Sequence, residues 1–198
     1  MNWRRRSERS WGRLGMRSEW ISLSEVADIL VGFAFKSESF NLNGDGVRLV
    51  RGKNVTRLSL RWGDDTRWWN DFSFDLNKYY LKPGDIVVGM DGSLVGKNYA
   101  RVHEEDLPLL LVQRVACIRA KNGVDQDFLW NCIASSRFEM YIDAVKTGTS
   151  IPHISSKQIG EYPVPHFSAK EQRTIGYTLK SLESRIRNNQ KINDNLAA

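Results

Sequence analysis

Near the end of the chain, Ile175, Leu179, Leu182 and Ile186, continued by Asn189, Asn193 and Leu196, alternate steps of four and three without a slip. That is the roughly 3.5-residue period of a coiled-coil stripe, with two asparagines toward its end. Ser168 and Glu171 form an S-x-x-E capping box, which predicts that the helix starts there. At about 1.5 Å per residue such a helix runs about 40 Å, more than one small domain needs to cover its core. Two readings stay open at this level. The stripe is a dimer seam packing on something outside the domain, or it is the face of an amphipathic helix lying on its own core.

Upstream the pattern changes. Ser22 and Glu25 form a second capping box, and Leu23, Val26, Ala27 and Leu30 predict a short amphipathic helix stopped by Gly32. From Val47 to about Arg119 the chain reads as short β-rich runs: 47–51, 85–90 and 110–119. Asn43-Gly44-Asp45-Gly46, Lys82-Pro83-Gly84-Asp85 and Asp91-Gly92 supply turn chemistry between them. Residues 125–145 return to helical spacing, with Phe128, Leu129, Cys132, Ile133, Phe138 and Tyr141 facing inward. Pro152, Pro163 and Pro165 keep the next stretch extended. The fold class expected is α+β: a β-rich domain flanked by helices, with a long coiled-coil-forming helix at its C-terminal end. The expected divisions are a basic, disordered tail over 1–18, a domain over 19–165 and the long helix over 166–198. The tail is either a flexible arm that follows a polyanion or the product of a start placed at Met1 instead of Met16.

Charge changes this picture only when it is divided. The net +6 splits into +4 for residues 1–20, −1 for 21–150 and +3 for 151–198, so the body is nearly neutral. Within it, Arg48, Arg51, Lys53, Arg57 and Arg61 occur with no acid between them, and Trp62, Arg67, Trp68 and Trp69 follow after an interruption by Asp64 and Asp65. Cations mixed with flat aromatics suit contacts to phosphates and bases. The alternative is that Arg and Trp stack on one another across a solvated face. A strictly extended backbone would put residues 51, 53, 57 and 61 on one sheet face. Lys97, Asn98 and Tyr99, after the Gly92/Gly96 turn, form a second candidate loop. The segment Thr147–Ile154 reads as mainly structural, with phosphate contact as the lesser alternative.

Catalytic chemistry is not legible. Gly92-Ser-Leu-Val-Gly96-Lys97-Asn98 is one residue short of a phosphate-binding loop, and Asn98 stands where a Mg²⁺-ligating hydroxyl belongs. There is no Gly-x-Gly-x-x-Gly and no Pro-Pro pair, and none of the eleven lysines has an acid two positions before it. His103, His153 and His166 are isolated. Asp85 and Asp91 are read as turn caps in preference to metal ligands, and Cys117 and Cys132 as buried thiols of a reducing compartment. No catalytic residue, metal site or cofactor is expected. With no apolar run of transmembrane length and no secretory h-region, the expected place is the cytoplasm.

Several segments carry a resemblance in order. They are Trp20-Ile-Ser-Leu-Ser-Glu-Val-Ala-Asp-Ile with Gly32 and Phe35-Lys36, Val50-Arg-Gly-Lys-Asn-Val55, Leu81-Lys-Pro-Gly-Asp-Ile-Val-Val with Gly92 and Gly96, and Gln113-Arg-Val. Thr147-Gly-Thr-Ser-Ile-Pro-His-Ile154, Tyr162-Pro-Val-Pro165, Glu171-Gln172 and the helix to Leu196 complete it. Residues 20–196 thus resemble one half of a type I restriction–modification specificity subunit, a target recognition domain followed by its long helix. The resemblance implies a non-catalytic subunit that reads double-stranded DNA, one half-site per chain, and whose helix docks the methyltransferase subunit. A nuclease–translocase subunit then joins through the complex. Because only one half is present, a homodimer closed across the seam is expected. The alternative function is a degenerate half-subunit that sequesters the methyltransferase without reading DNA.

Overall fold

The computed structural model describes residues 19–71 and 75–197. The expected basic tail, with both candidate start methionines, lies outside them. In chain order the elements begin with β1 (Trp20–Ser22), α1 (Leu23–Val26), β2 (Ala27–Val31) and β3 (Val47–Val50). Next come β4 (Val55–Thr56), β5 (Ser59–Leu60), β6 (Trp68–Trp69), β7 (Ile86–Gly89), β8 (Tyr99–Arg101), β9 (Leu109–Leu111) and β10 (Val115–Ala120). The chain closes with α2 (Gln126–Ile133), α3 (Ser136–Val145), α4 (Ser156–Gly160), β11 (Pro163–Pro165) and α5 (Ala169–Ala197). The α+β class and the long terminal helix stand as expected.

The central sheet has the order β2-β10-β7-β8, all antiparallel. Its strand β10 is buried on both faces, and the two-residue period of the strand divides the core in two. Ala116 and Ile118, with Ile86 and Val88, face the helices and pack among Phe128, Leu129, Ile133, Phe138 and Ile142. Val115 and Cys117, with Val87, face the other way and pack on Val50, Leu109 and Leu111 of the second sheet, β6-β3-β9. Two smaller pairings finish the architecture. The hairpin β4-β5 leans on β8, and β1 pairs with β11 so that both ends of the β-rich domain meet beside the long helix.

Four local expectations are corrected. The capping box at Ser22 exists, its backbone N–H donating to Glu25 Oε1 at 2.8 Å, but the helix lasts only to Val26. Ala27–Val31 is a strand, because β-branched Ile29 and Val31 gain a full antiparallel ladder with β10. Gly32 is accordingly no helix stop. A Cβ there would lie 2.2 Å from the Val112 carbonyl oxygen, so the glycine permits a close backbone crossing. The run 110–119 is two strands, broken where Gln113 and Arg114 turn and Arg114 takes φ 66°. Residues 125–145 are likewise two helices, each with its own N-cap: Asp125 accepts from the Phe128 N–H at 2.8 Å, and Ser135 from the Phe138 N–H at 3.2 Å. The fourth correction is α4, which interrupts the stretch expected to remain extended. It starts at Ser155, whose backbone N–H donates to Gln158 Oε1 at 2.8 Å.

Candidate nucleic-acid interface

Four segments distant in sequence meet at one end of the central sheet, where β7 ends and β8 and β10 begin. The Met90 N–H donates to the Arg114 carbonyl at 2.9 Å, which ties the Gln113–Arg114 turn to the end of β7. The Gly92 N–H donates to the Pro152 carbonyl at 3.0 Å, and the Ile154 N–H to the Met90 carbonyl at 2.9 Å, which lay the Thr147–His153 hairpin beside the glycine turn. The Leu58 N–H donates to the Tyr99 carbonyl at 2.8 Å, which holds the tip of the β4-β5 hairpin against the start of β8. Gly52 completes the face, since a Cβ on it would stand 3.4 Å from Asp91 Oδ1. These contacts satisfy the loop backbones and leave side chains to point outward. Lys53, Arg57, Ser93, Leu94, Lys97, Gln113, Arg114, Thr149 and Ser150 are all exposed.

The cations on this face are mostly paired. Arg57 Nη2 lies 2.8 Å from Glu139 Oε1, which also accepts the Tyr99 hydroxyl at 2.7 Å. Arg114 Nη1 lies 3.0 Å from Asp91 Oδ2, and Lys53 pairs with Asp65. That bond from Lys53 holds the Asp65 carboxyl below the usual range. Burial, followed by the bond to Glu139, pushes the Tyr99 hydroxyl up to about 12. Lys97 is exposed with no ion pair among the described residues.

The sequence-derived candidates therefore separate. Lys53, Arg57, Lys97 and half-buried Asn98 belong to the loop face. Arg48 does not. Its guanidinium lies 4.8 Å from the Trp62 ring centroid and donates to the Asp106 carbonyl, which is the Arg–Trp stacking weighed as the alternative. Arg51 is largely buried, donating to the Asp65 carbonyl at 2.5 Å and to Asn54 Oδ1 at 3.4 Å. Arg61 is exposed beyond β5, its N–H held by the Asn54 carbonyl at 2.8 Å. The single cationic sheet face does not form, because 52–54 turn as a 3-10 helix and Leu58 takes φ 67°. Tyr99 is a core residue whose ring packs edge-on to Trp130 and Phe138. The side chains that sequence reasoning passed over are Gln113 and Arg114. Their signal was present, as a polar pair interrupting an apolar run from Leu109 to Ile118.

Asp85 does more than cap a turn. It accepts the Lys82 N–H at 2.7 Å and both Nε and Nη2 of Arg119 at 2.7 Å, in a bidentate pair with the carboxylate buried. Cys117 is buried, Cys132 is half-buried, and both are free. Among the described residues no group of three or more His, Cys, Asp or Glu is placed to hold a metal ion, and no helix is long and apolar enough to cross a membrane.

The long helix leaves the domain along α2. Ser168 and Glu171 cap it as the sequence predicts, with the Ser168 N–H donating to Glu171 Oε2 at 2.8 Å. Gln172 Oε1 accepts the Asp125 N–H at 3.1 Å, and Asp127 takes Lys180 at 3.0 Å and Arg101 at 2.8 Å. Beside this anchored side, Ile175 is half-buried against the domain core, while Leu179, Leu182 and Ile186 are 38%, 50% and 60% exposed. Asn189 and Asn193 are exposed, and the Leu196 side chain lies outside the described residues. A cleft of about 440 Å³ lined by Trp20, Phe128, Tyr162 and Phe167 opens onto Ile175 and Leu179.

Known proteins share this fold. A family model for the type I restriction modification DNA specificity domain matches residues 17–198. The chain is 36% identical over 160 residues to the EcoAI type I restriction enzyme specificity subunit of Escherichia coli, covering 79% of this chain and 27% of that protein. It is 29% identical over 181 residues to the EcoBI specificity subunit of the same organism, covering 88% of this chain and 35% of that one. The crystal structure of the HsdS subunit from Thermoanaerobacter tengcongensis superposes with a TM-score of 0.60 at 20% identity, over 85% of this chain and 38% of that chain. The chain thus spans about a third of the length of the curated relatives it matches.

Proposed function

The chain belongs to the type I restriction–modification DNA specificity domain family, and from that premise we propose that it is the DNA-recognition component of such a system, reading one half-site of double-stranded DNA per chain. The observation that carries this reading is the convergence of four separate segments on one loop face bearing Lys53, Arg57, Lys97, Gln113 and Arg114. Arginine suits bidentate contact to guanine, glutamine to adenine, and lysine a phosphate. Residues 19–165 form the reading domain. Residues 166–198 form the helix that spaces two readers and docks methyltransferase subunits, with a nuclease–translocase subunit joining through them. Methylation and cleavage are then outputs of the assembly, and the chain itself supplies address, not chemistry.

The exposed stripe Leu179, Leu182, Ile186 supports closure by a second copy, since an apolar seam on one chain is covered most simply by its symmetry mate. Asn189 and Asn193 would then choose register. A second reading, a module that holds the methyltransferase without reading DNA, draws on the pairing of Lys53, Arg57 and Arg114 with carboxylates. A gel shift separates the two. The purified chain with a cognate methyltransferase subunit, challenged with a random duplex library, should enrich particular sequences. Uniform recovery at moderate salt would overturn the recognition reading.

A further inference from the structure

On the loop face the Arg57 and Arg114 side chains are more exposed than the carboxylates they pair with. Arg57 is 62% exposed, whereas its partner Glu139 is 13% exposed and anchored by the Tyr99 hydroxyl at 2.7 Å. Arg114 is 69% exposed, whereas Asp91 is 26% exposed and its backbone bridges His153. Lys53 and Asp65 repeat the pairing with both partners about half exposed. The Arg57 and Arg114 pairs each present an exposed cation resting on a less exposed anion, so the face gathers exposed Lys and Arg with little net positive charge.

Resting on the DNA-recognition reading, we propose that Asp91 and Glu139 are specificity-determining residues that hold down binding to duplex of arbitrary sequence. A passing phosphate must displace the carboxylate from its cation and then sit near that carboxylate. The counterion release that drives non-specific binding is thereby largely cancelled. Exposed ion pairs are weak in water, so a correct site can still open them. In the correct register the arginine gains a base or phosphate and the freed carboxylate can accept from a base amine, as carboxylates do from cytosine. A wrong register leaves an anion facing phosphate, and that repulsion is what discriminates.

The test uses the full chain with Asp91→Asn and Glu139→Gln, singly and together. The probes are a random-sequence duplex and a duplex selected from a random library by the unaltered chain. The glutamine side chain keeps an oxygen to accept the Tyr99 hydroxyl, and thermal melts check that the variants fold. Each change should raise affinity for random duplex by roughly three- to tenfold at about 100 mM salt and steepen the salt slope by about 0.9. The ratio of selected to random affinity should fall. Glu161→Gln, which removes an exposed acid paired with Lys157 instead, should change neither quantity. Unchanged random-duplex affinity and slope, or an equal rise with Glu161→Gln, overturns the inference while the recognition reading stands. If neither the unaltered chain nor any variant binds duplex, the recognition reading falls and takes this inference with it.

Discussion

Gly176 of the long helix lies directly against Asp125, the N-cap of α2; a Cβ on Gly176 would stand 2.4 Å from Asp125 Oδ1 and 3.0 Å from the Phe128 nitrogen. The same Oδ1 accepts the Phe128 N–H at 2.8 Å, so the close approach joins helix start and helix anchor in one contact. Beyond it α5 still meets the domain through Lys180 on Asp127 and Glu183 beside Arg101, while Leu182 and Ile186 stay exposed.

Gly176→Ala should therefore destabilise the chain even though alanine favours helix by about 1 kcal/mol. Overpacking costs about 1–3 kcal/mol and a displaced cap about 1 kcal/mol, which together exceed that gain. Urea denaturation should show a net loss of about 1–3 kcal/mol; a neutral or stabilising result would mean that α5 stands off from α2.

Arg57→Ala and Arg114→Ala should leave the melting temperature within a degree or two, because both side chains are mainly in solvent. Each should weaken duplex binding and reduce the salt slope by about 0.9 if its contact is a phosphate. Arg48→Ala should do the reverse, costing about 0.5–1 kcal/mol of stability through the lost Trp62 stack and leaving the slope alone. Duplex titrations at several salt concentrations, paired with melts, distinguish the two groups.

Breaking the buried Asp85–Arg119 pair should be the costliest single change of those considered. Arg119→Met leaves the Asp85 carboxylate buried with the Lys82 N–H and the Cys117 thiol but no cation, and a loss of about 3–5 kcal/mol is expected. A loss under about 1 kcal/mol in urea would show that water reaches the carboxylate.

Alkaline pH should weaken the fold. Burial raises Tyr99 and Tyr141 each to about 12 from 10.0 in the free side chain. The folded state thus holds these protons more tightly than the unfolded chain. Their contribution is complete below about pH 10 and is lost as pH rises toward about 12. Tyr99→Phe should flatten that part of the stability profile, and tyrosinate absorbance should rise later in the folded chain than in urea.

If the proposed dimer forms, Leu182→Asp should convert it into a monomer without unfolding the chain, because Leu182 is half exposed and a carboxylate there would be buried unpaired in the seam. A chain ending after Arg185 should behave likewise. Ending it after Pro165 would instead strip Phe167 from Phe128 and Gln172 from Asp125, and so damage the domain. Light scattering decides the matter: a monomeric parent chain at tens of micromolar, with and without DNA, would leave the seam to a different polypeptide.

Much of this molecule is local chemistry and was legible as such. The cap at Ser168, the heptad stripe from Ile175, the β-rich runs at 47–50 and 86–89 and the glycine turns between them carry signals written within a few residues, although those two strands pair with β9 and β10. The rest turned on partners remote in sequence. Ala27–Val31 had helical spacing, and its pairing with β10 made it a strand. The cations 48–61 read as one patch because their acids, Asp65 and Glu139, come later in the chain, and Glu139 lies 82 residues from Arg57. Gln113 and Arg114 looked like part of a strand until the turn that joins β9 to β10 set them beside Asp91 and the Thr147–His153 hairpin. Hydrophobic period and capping act within a turn or two of backbone and leave their mark in order along the chain. The Arg57–Glu139 pair and the composition of the loop face are set by the sheet that brings distant segments together, and no short window of sequence contains both halves of that pair.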